Sequence, residues 1–359
     1  MAYNVKDNVK KNIYKDIEEI TSADIRWERL KNKTVLITGA GGFIGSFLVL
    51  SLLNRNDVYG DNIKVIALVR NEKKAQAKYG ELLERDDFEL CVQDVSSEIK
   101  CERADFVIHA ASQASNIQFE NDPVGTINAN LLGTTNVLDF AKVSESEATL
   151  IISSLKVYGK LHTGRQSISE DDIGYLDFTS YKNCYAVGKR ASETLAASYA
   201  KQYGMNIKIA RPSYIYGASS LDDDRVWAQF IANIVRKQNI LLKSNGAANR
   251  SFCYVTDTVT ALLVILLEGE NTVPYNIAYE KSNTTIRGFA KAACEVFPER
   301  NISLSFANSE DEKEPEVDTS PLAPTPEIMD STRLLSLGWK PLVDLKEGIR
   351  RSVNILEEN

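Results

Sequence analysis

The chain has 359 residues, 43% of them hydrophobic and 25% charged, which is enough apolar material for a sizeable core in one large domain or two modest ones. Its formal charge of −7 argues against a protein that coats nucleic acid or an anionic membrane, but leaves room for an anionic small ligand in a locally positive pocket. Two histidines (His109, His162) and five dispersed cysteines (Cys91, Cys101, Cys184, Cys253, Cys294) argue against a metal site or a disulfide framework. They lead us to expect buried free thiols in a reducing compartment.

The first 32 residues are polar, with apolar positions at Ile13, Ile17, Ile20, Ile25, Trp27 and Leu30. That spacing predicts one or two short helices, used as a packing arm or a dimer contact. No apolar signal segment opens the chain, and the longest apolar stretch, Ala261 to Leu267, is too short to span a bilayer. A cytoplasmic protein with no membrane or nucleic-acid partner is expected.

An apolar strand over Lys33–Thr38 runs into a glycine-rich turn and a helix from Phe43 to Leu53. Strands follow at Ile63–Val69, Phe88–Val92, Asp105–His109, Thr149–Ser153 and Asn206–Ala210. Helices alternate with them at Glu72–Tyr79, Ile127–Val143 and Cys184–Tyr203. Such alternation predicts an α/β fold, a Rossmann-type doubly wound parallel sheet. After Arg211 the rhythm changes. Helices at Val226–Lys237 and Val255–Glu268 lack regular strands between them, Asn308–Pro326 is an acidic, proline-rich loop, and a helix at Leu345–Leu356 ends the chain. The expected division is a helical arm (1–32), a dinucleotide-binding domain (33–211) and a smaller C-terminal substrate lobe (212–359) with segments returning to the core.

Gly39, Gly42 and Gly45 lie between the first strand and the first long helix. Glycines there let the chain turn tightly and a pyrophosphate approach the backbone, with the helix N-terminus facing it. A bare glycine turn with no ligand is the plainer alternative, and the strand–turn–helix context speaks against it. At the end of the second strand an NAD site usually places an acid for the ribose 2′-hydroxyl. Here Arg70 stands there, so NAD and NADP both remain open. Asp94, with Val95 beside it, is a candidate contact for adenine.

Tyr185 and Lys189 are spaced i, i+4 on one helix face. An ammonium near a phenol favours phenolate, which can take a hydroxyl proton as hydride leaves for a nicotinamide. YxxxK alone is weak. Following a dinucleotide turn and a strand that ends in Ser153-Ser154, it is much more specific.

The ordered segments TGAGGFIG (38–45), HAAS (109–112), NANLLGT (128–134), SSLKVYG (153–159), CYAVGKRASET (184–194), DDRVWAQFI (223–231), NRSFCYVTD (249–257) and LGWKPLVDLKEGI (337–349) resemble an extended short-chain dehydrogenase/reductase. The likeness is to the NAD-dependent epimerase/dehydratase family, nearest to UDP-glucuronate decarboxylase-like enzymes of nucleotide sugars. It implies a catalytic set of Ser154, Tyr185 and Lys189. Cofactor contacts are implied at Phe43, Ile44, Ala110, Ala111, Ser112 and Asn130 besides the glycines, and substrate contacts at Gln113, Ser154, Arg225 and Arg250. It also implies a homodimer built on a four-helix interface that includes the YxxxK helix.

Three positions depart from that pattern. Lys156 replaces a glutamate that serves the decarboxylases and 4,6-dehydratases, Tyr214 replaces an asparagine that touches substrate phosphate, and Lys243 replaces a tyrosine near the substrate's base, so that the resemblance implies substrate contacts at Tyr214 and Lys243 too. The first disfavours dehydration and standard decarboxylation unless the pKa of Lys156 falls enough for it to act as a base. The expected reaction is therefore oxidation at the sugar C4 followed by 4-epimerisation. A UDP-uronic acid decarboxylase, a 4,6-dehydratase, a net C4 dehydrogenase and a non-catalytic NAD(P)-binding module are the alternatives.

Overall fold

The structure, a computed structural model, describes residues 3–113, 116–162, 164–313 and 325–358; most of the expected acidic loop after Asn308 lies outside them. Seven short strands form one parallel sheet: β1 (Thr34–Thr38), β2 (Lys64–Val69), β3 (Phe88–Val92), β4 (Phe106–His109), β5 (Ala148–Ile152), β6 (Ile207–Pro212) and β7 (Pro274–Ile277). They run in the order β7-β6-β5-β4-β1-β2-β3. The order reverses between β1 and β4, where a crevice opens at the carboxyl ends of the strands and doubly wound sheets bind ligands.

Both faces of the sheet are covered, and the strands show it residue by residue. In β1, Val35 and Ile37 pack into one cluster with Leu48 and Leu52 of α2 (Phe43–Tyr59) and Val259 and Leu263 of α7 (Val255–Glu268). Between them Leu36 faces the opposite side, against Val137 and Ala141 of α4 (Pro123–Ser144). This is the period of two expected of a strand buried on both sides. α5 (Cys184–Tyr203) lies beside α4 and packs Ala196 against Ile151, Ile207 and Ile209.

β7 was absent from the sequence reading. Its four residues, PYNI, begin with proline and carry Asn276, so no apolar run announces them. Asn276 is fully buried: it accepts from Tyr158 Oη at 2.6 Å and donates to the carbonyls of Ile168 (3.2 Å) and Asp330 (2.9 Å). A polar side chain is tolerated there because each of its groups has a partner.

α1 (Lys11–Ser22) belongs to the N-terminal arm, which packs on its own chain. Ile17, Ile20 and Leu30 are buried in the main core, and Asp16 accepts from Tyr254 Oη at 2.7 Å. Arg55 seals the arm, pairing with Asp61 at 2.6 Å beneath the ring of Trp27. The C-terminal lobe gathers α6 (Val226–Val235), α8 (Ile286–Val296) and α9 (Leu345–Glu357) around Phe230, Phe289 and Ile349. The cysteines are less scattered and less buried than expected. Cys91 and Cys101 are half-buried free thiols with their sulfurs 2.6 Å apart, brought together by the loop after β3. Among the described residues no helix is long and apolar enough to cross a membrane.

Candidate active site

The glycine turn leads directly into α2. Gly39 has a φ of +67°, and a Cβ there would lie 2.7 Å from the backbone N of Ala111. A Cβ on Gly45 would lie 2.3 Å from the Gly39 carbonyl oxygen, so the first turn of α2 can sit against β1 only without one. Gly42 caps the helix in extended conformation, its N–H bonded to the Gly39 carbonyl at 2.9 Å.

Above this turn opens a cavity of about 700 Å³. Gly39, Gly41 and Gly42 line one part of it, Arg70, Asp94 and Val95 another, and Ala110, Ala111 and Ser112 its floor. The free N–H groups of a long helix suit an anionic phosphate, and the glycines leave the backbone bare for its approach. The cavity therefore fits a dinucleotide. At its outer end Arg70 is exposed and stands 3.9 Å from the Asp94 carboxylate.

Several expected cofactor and substrate contacts are placed differently. Phe43 lies outside the cavity's lining, its ring edge-on to Phe47 at 5.9 Å and 6.4 Å from that of Trp227. Ile44 lines the neighbouring pocket instead. Asn130 is fully buried beneath the floor, where it accepts from Ser112 Oγ at 3.1 Å and donates to the Thr126 carbonyl at 2.8 Å. Gln113 was expected to touch substrate, yet it lines the dinucleotide cavity, pinned by Asp122 (3.0 Å) and Thr126 (2.9 Å). Lys243 is exposed and outside the lining of both cavities. It follows the strand Ile240–Leu242, whose alternation turns Leu242 inward and leaves the next side chain in solvent.

The second pocket, about 480 Å³, shares Ala110 and Ser112 with the first and is lined by Ser154, Lys156, Tyr185, Lys189, Tyr214, Arg225 and Arg250. Ser154 follows β5 and caps the turn Leu155–Tyr158, accepting from the Lys156 N–H at 3.2 Å. Tyr185 and Lys189 come from one face of α5. Phe119 stacks on the Tyr185 ring with centroids 4.9 Å apart. Lys189 is buried and donates to the Ile152 carbonyl at 2.8 Å.

Burial sets the charges of this pair. It lowers the Lys189 ammonium to about 8, with Glu193 pulling the other way. It raises the Tyr185 phenol above its ordinary value, although a hydrogen bond with Ser154 and the charge of Lys156 both act to lower it. His109, buried under the floor and bonded to Thr38 Oγ1 at 2.8 Å, is pushed down to about 3 and stays neutral.

Lys156 departs from the base that a falling pKa would have made of it. Burial lowers it, but Tyr214 and Glu327 outweigh burial and hold it above the ordinary lysine value. Its Nζ lies 2.9 Å from Tyr214 Oη and 3.1 Å from Glu327 Oε1. Tyr214 Oη donates to Glu327 Oε2 at 2.6 Å, and Arg250 Nε pairs with the same oxygen at 3.1 Å. Arg225 pairs with Asp223 at 2.9 Å and lies over the Trp227 ring, 4.6 Å from its centre. Sequence reasoning missed Glu327, which follows a proline-rich stretch with no motif, and Phe119, an isolated aromatic on the short helix Asn116–Asn121.

A sequence model of the NAD dependent epimerase/dehydratase family matches residues 35–278. The chain is 34% identical over 322 residues to UDP-glucuronic acid decarboxylase 6 of Arabidopsis thaliana, covering 89% of this chain and 87% of the relative. It is 29% identical to UDP-glucuronic acid decarboxylase 1 of Danio rerio, covering 89% of this chain and 72% of that protein. Among solved structures, the fold is similar to UDP-glucose 4-epimerase of Thermotoga maritima (TM-score 0.72, 22% identity, 90% of this chain and 98% of that one). It is similar also to dTDP-glucose 4,6-dehydratase of Bacillus anthracis (TM-score 0.72, 17% identity, 91% and 97%). With its glycine turn and dinucleotide cavity, the chain belongs to the NAD-dependent epimerase/dehydratase family.

Proposed function

We propose that the protein is a nucleotide-sugar 4-epimerase that oxidises the sugar C4 hydroxyl and reduces the resulting 4-keto sugar from the other face. The observation that carries this reading is the fixed cation at Lys156, in the same pocket as Ser154, Tyr185 and Lys189. Tyr185 is the group that takes the C4 hydroxyl proton and later returns it. Ser154 Oγ orients that oxygen, and the Lys189 ammonium stabilises the phenolate as it forms. A bound NAD would supply the acceptor and donor for the C4 hydride. Lys156, protonated and paired, is a poor base for pulling a proton from the carbon beside the new ketone. That leaves rotation of the keto sugar and return of hydride as the simplest completion.

Gly39, Gly42 and Gly45 would shape the dinucleotide site, and Ala110, Ala111, Ser112 and Asp94, which line the same cavity, would help to hold the cofactor. We favour NAD over NADP, because the Asp94 carboxylate at the same mouth offsets the charge of Arg70 and would repel a 2′-phosphate. Arg225 and Arg250 are the proposed diphosphate contacts, Arg250 through the guanidinium N–H groups other than the Nε held by Glu327. A homodimer is proposed on α4 and α5.

Incubation with UDP-glucose, UDP-glucuronic acid, UDP-N-acetylglucosamine and dTDP-glucose, with products read by mass spectrometry and NMR, tests the reading. An isobaric product inverted at C4 supports it, and loss of carbon dioxide or water without inversion overturns it. Decarboxylation of a UDP-uronic acid is the second reading, favoured by the 34% identity over most of the chain to a UDP-glucuronic acid decarboxylase.

A further inference from the structure

Three side chains that line the substrate pocket converge on one carboxylate that is not itself part of the lining. Lys156 comes from the turn after β5, Tyr214 from the short strand Tyr214–Tyr216 after β6, and Arg250 from the strand Asn249–Arg250 in the lobe. Glu327 receives all three, at 3.1 Å, 2.6 Å and 3.1 Å respectively. Its own backbone is fixed, since its carbonyl accepts from the Ser251 N–H at 2.9 Å and the Met329 N–H donates to Ser251 Oγ at 2.9 Å.

We propose that Glu327 is a positioning residue, whose carboxylate gathers Lys156, Tyr214 and Arg250 into one wall of the pocket and keeps Lys156 a fixed cation beside Tyr185. Without that carboxylate the wall opposes itself. Lys156 Nζ and the Arg250 guanidinium carbon each lie 5.3 Å from the centre of the Tyr214 ring, so two cations would stand against one partly buried ring. A solvated pair would matter little. Here the Glu327 and Arg250 side chains are about three-quarters buried, and a single anion satisfies both cations and a phenol. The Lys156–Glu327 pair also joins the turn after β5 to the C-terminal part of the chain, so it sets where a sugar bound between them can lie. In this sense the inference deepens the epimerase reading and rests on it for the identity of the reaction.

The charged and titratable groups around Lys156 are Tyr214, Glu327, Arg250 on the same carboxylate and, across the pocket, Tyr185. Burial alone would lower the lysine, and Glu327 opposes this. Loss of Glu327 therefore lets Lys156 shed its proton at lower pH. The cation that acts to lower Tyr185 then disappears before the phenol titrates.

The test reads Lys156 without any substrate. Competitive acetylation of the NAD-loaded protein across a pH series, followed by peptide mass spectrometry, reports the pH at which the Lys156 amine becomes free. Glu327→Gln should lower that pH by about one unit or more, and Glu327→Asp should restore part of the shift. An unchanged Lys156 titration in Glu327→Gln overturns the proposal. The second readout is the pH profile of bound-NAD reduction by UDP-glucose and UDP-glucuronic acid. Its acid limb should move upward in Glu327→Gln and in Lys156→Met, with no further movement when the two are combined. Additive shifts would mean that Glu327 acts on Tyr185 independently and would also overturn it. Should these sugars, UDP-N-acetylglucosamine and dTDP-glucose all fail to reduce the cofactor in the unsubstituted protein, the epimerase reading fails while the acetylation result still decides the role of Glu327.

Discussion

The Lys189 ammonium donates to the Ile152 carbonyl at 2.8 Å, and its Nζ lies 5.8 Å from the centre of the Tyr185 ring. In the resting protein the two residues of the YxxxK pair are thus neighbours, but the lysine is spent on the end of β5. The charge that acts to lower Tyr185 there is Lys156. Tyr185 is accordingly a neutral phenol at neutral pH, and it becomes a base only as a substrate hydroxyl engages it.

Replacement of the phenol separates binding from chemistry. Tyr185→Phe should retain NAD on purification and lose reduction of the bound cofactor by about 10²–10⁴-fold, the usual span of a general base. Absorbance of the reduced cofactor after adding nucleotide sugar measures it. Undiminished reduction would remove Tyr185 from the reaction.

The pH dependence follows from Lys189. Its pKa is depressed to about 8, so the ammonium is present below that pH and is lost as pH rises through it. Stabilisation of phenolate is lost with it, and the rate of cofactor reduction should fall on the alkaline side near pH 8. Lys189→Arg keeps its charge throughout this range. Whatever activity that variant retains should therefore lack the alkaline limb, whereas a limb that persists in it belongs to another group.

The glycine turn separates positions by what a single methyl group would meet. Gly45→Ala drives its Cβ to 2.3 Å from the Gly39 carbonyl oxygen, while the nearest atom to a Cβ on Gly41 is Val69 Cγ1 at 3.6 Å. Gly45→Ala should cost about 1–3 kcal/mol and lose bound NAD. Gly41→Ala should stay within about 0.5 kcal/mol by thermal melting. Equal melting temperatures for the two would contradict the packing described.

How much of this was legible in the sequence depended on the range of the interactions involved. The bounds of α5 and α7 and of β3 fall where period and apolar content place them, because each element is fixed by its own residues. β7 escaped notice because Asn276 is satisfied by three distant groups, none of them visible in a run of four residues. Motif spacing singled out Ser154, Tyr185 and Lys189, which the fold brings into one pocket. It missed Glu327, whose side-chain partners lie between 77 and 171 positions away along the chain. Position in the family pattern alone points to Lys243 as a substrate contact, whereas the strand alternation that turns Leu242 inward leaves Lys243 in solvent.

The proposed dimer has a specific surface to test. Leu132 and Val143 lie three turns apart on one side of α4 and are exposed, as is Tyr203 at the end of α5. Burying such residues against a second copy is the expected remedy for apolar surface in water. Light scattering on the purified protein should return twice the chain mass, and Leu132→Asp should shift it toward the monomer with the fold intact by circular dichroism. A monomer at every concentration would remove the pairing of α4 and α5.

The cofactor itself is the remaining point of decision, and it turns on Arg70. The residue is more than half exposed and is held only loosely to Asp94, at 3.9 Å, so nothing pre-organises it for bidentate binding of a phosphate. Protein denatured after purification should release NAD(H), and Arg70→Gln should leave NAD affinity within about threefold, since one exposed polar contact contributes under about 1 kcal/mol. Were the 2′-phosphate the true ligand, the same substitution would remove a charge-assisted contact contributing about 1.5–3 kcal/mol. NADP(H) affinity would then fall by roughly ten- to a hundredfold. Release of NADP(H) on denaturation, together with that loss, would overturn the preference for NAD. It would also weaken the 4-epimerase reading, because a cofactor that exchanges with the solution suits net oxidation or reduction better than a hydride returned to the same sugar.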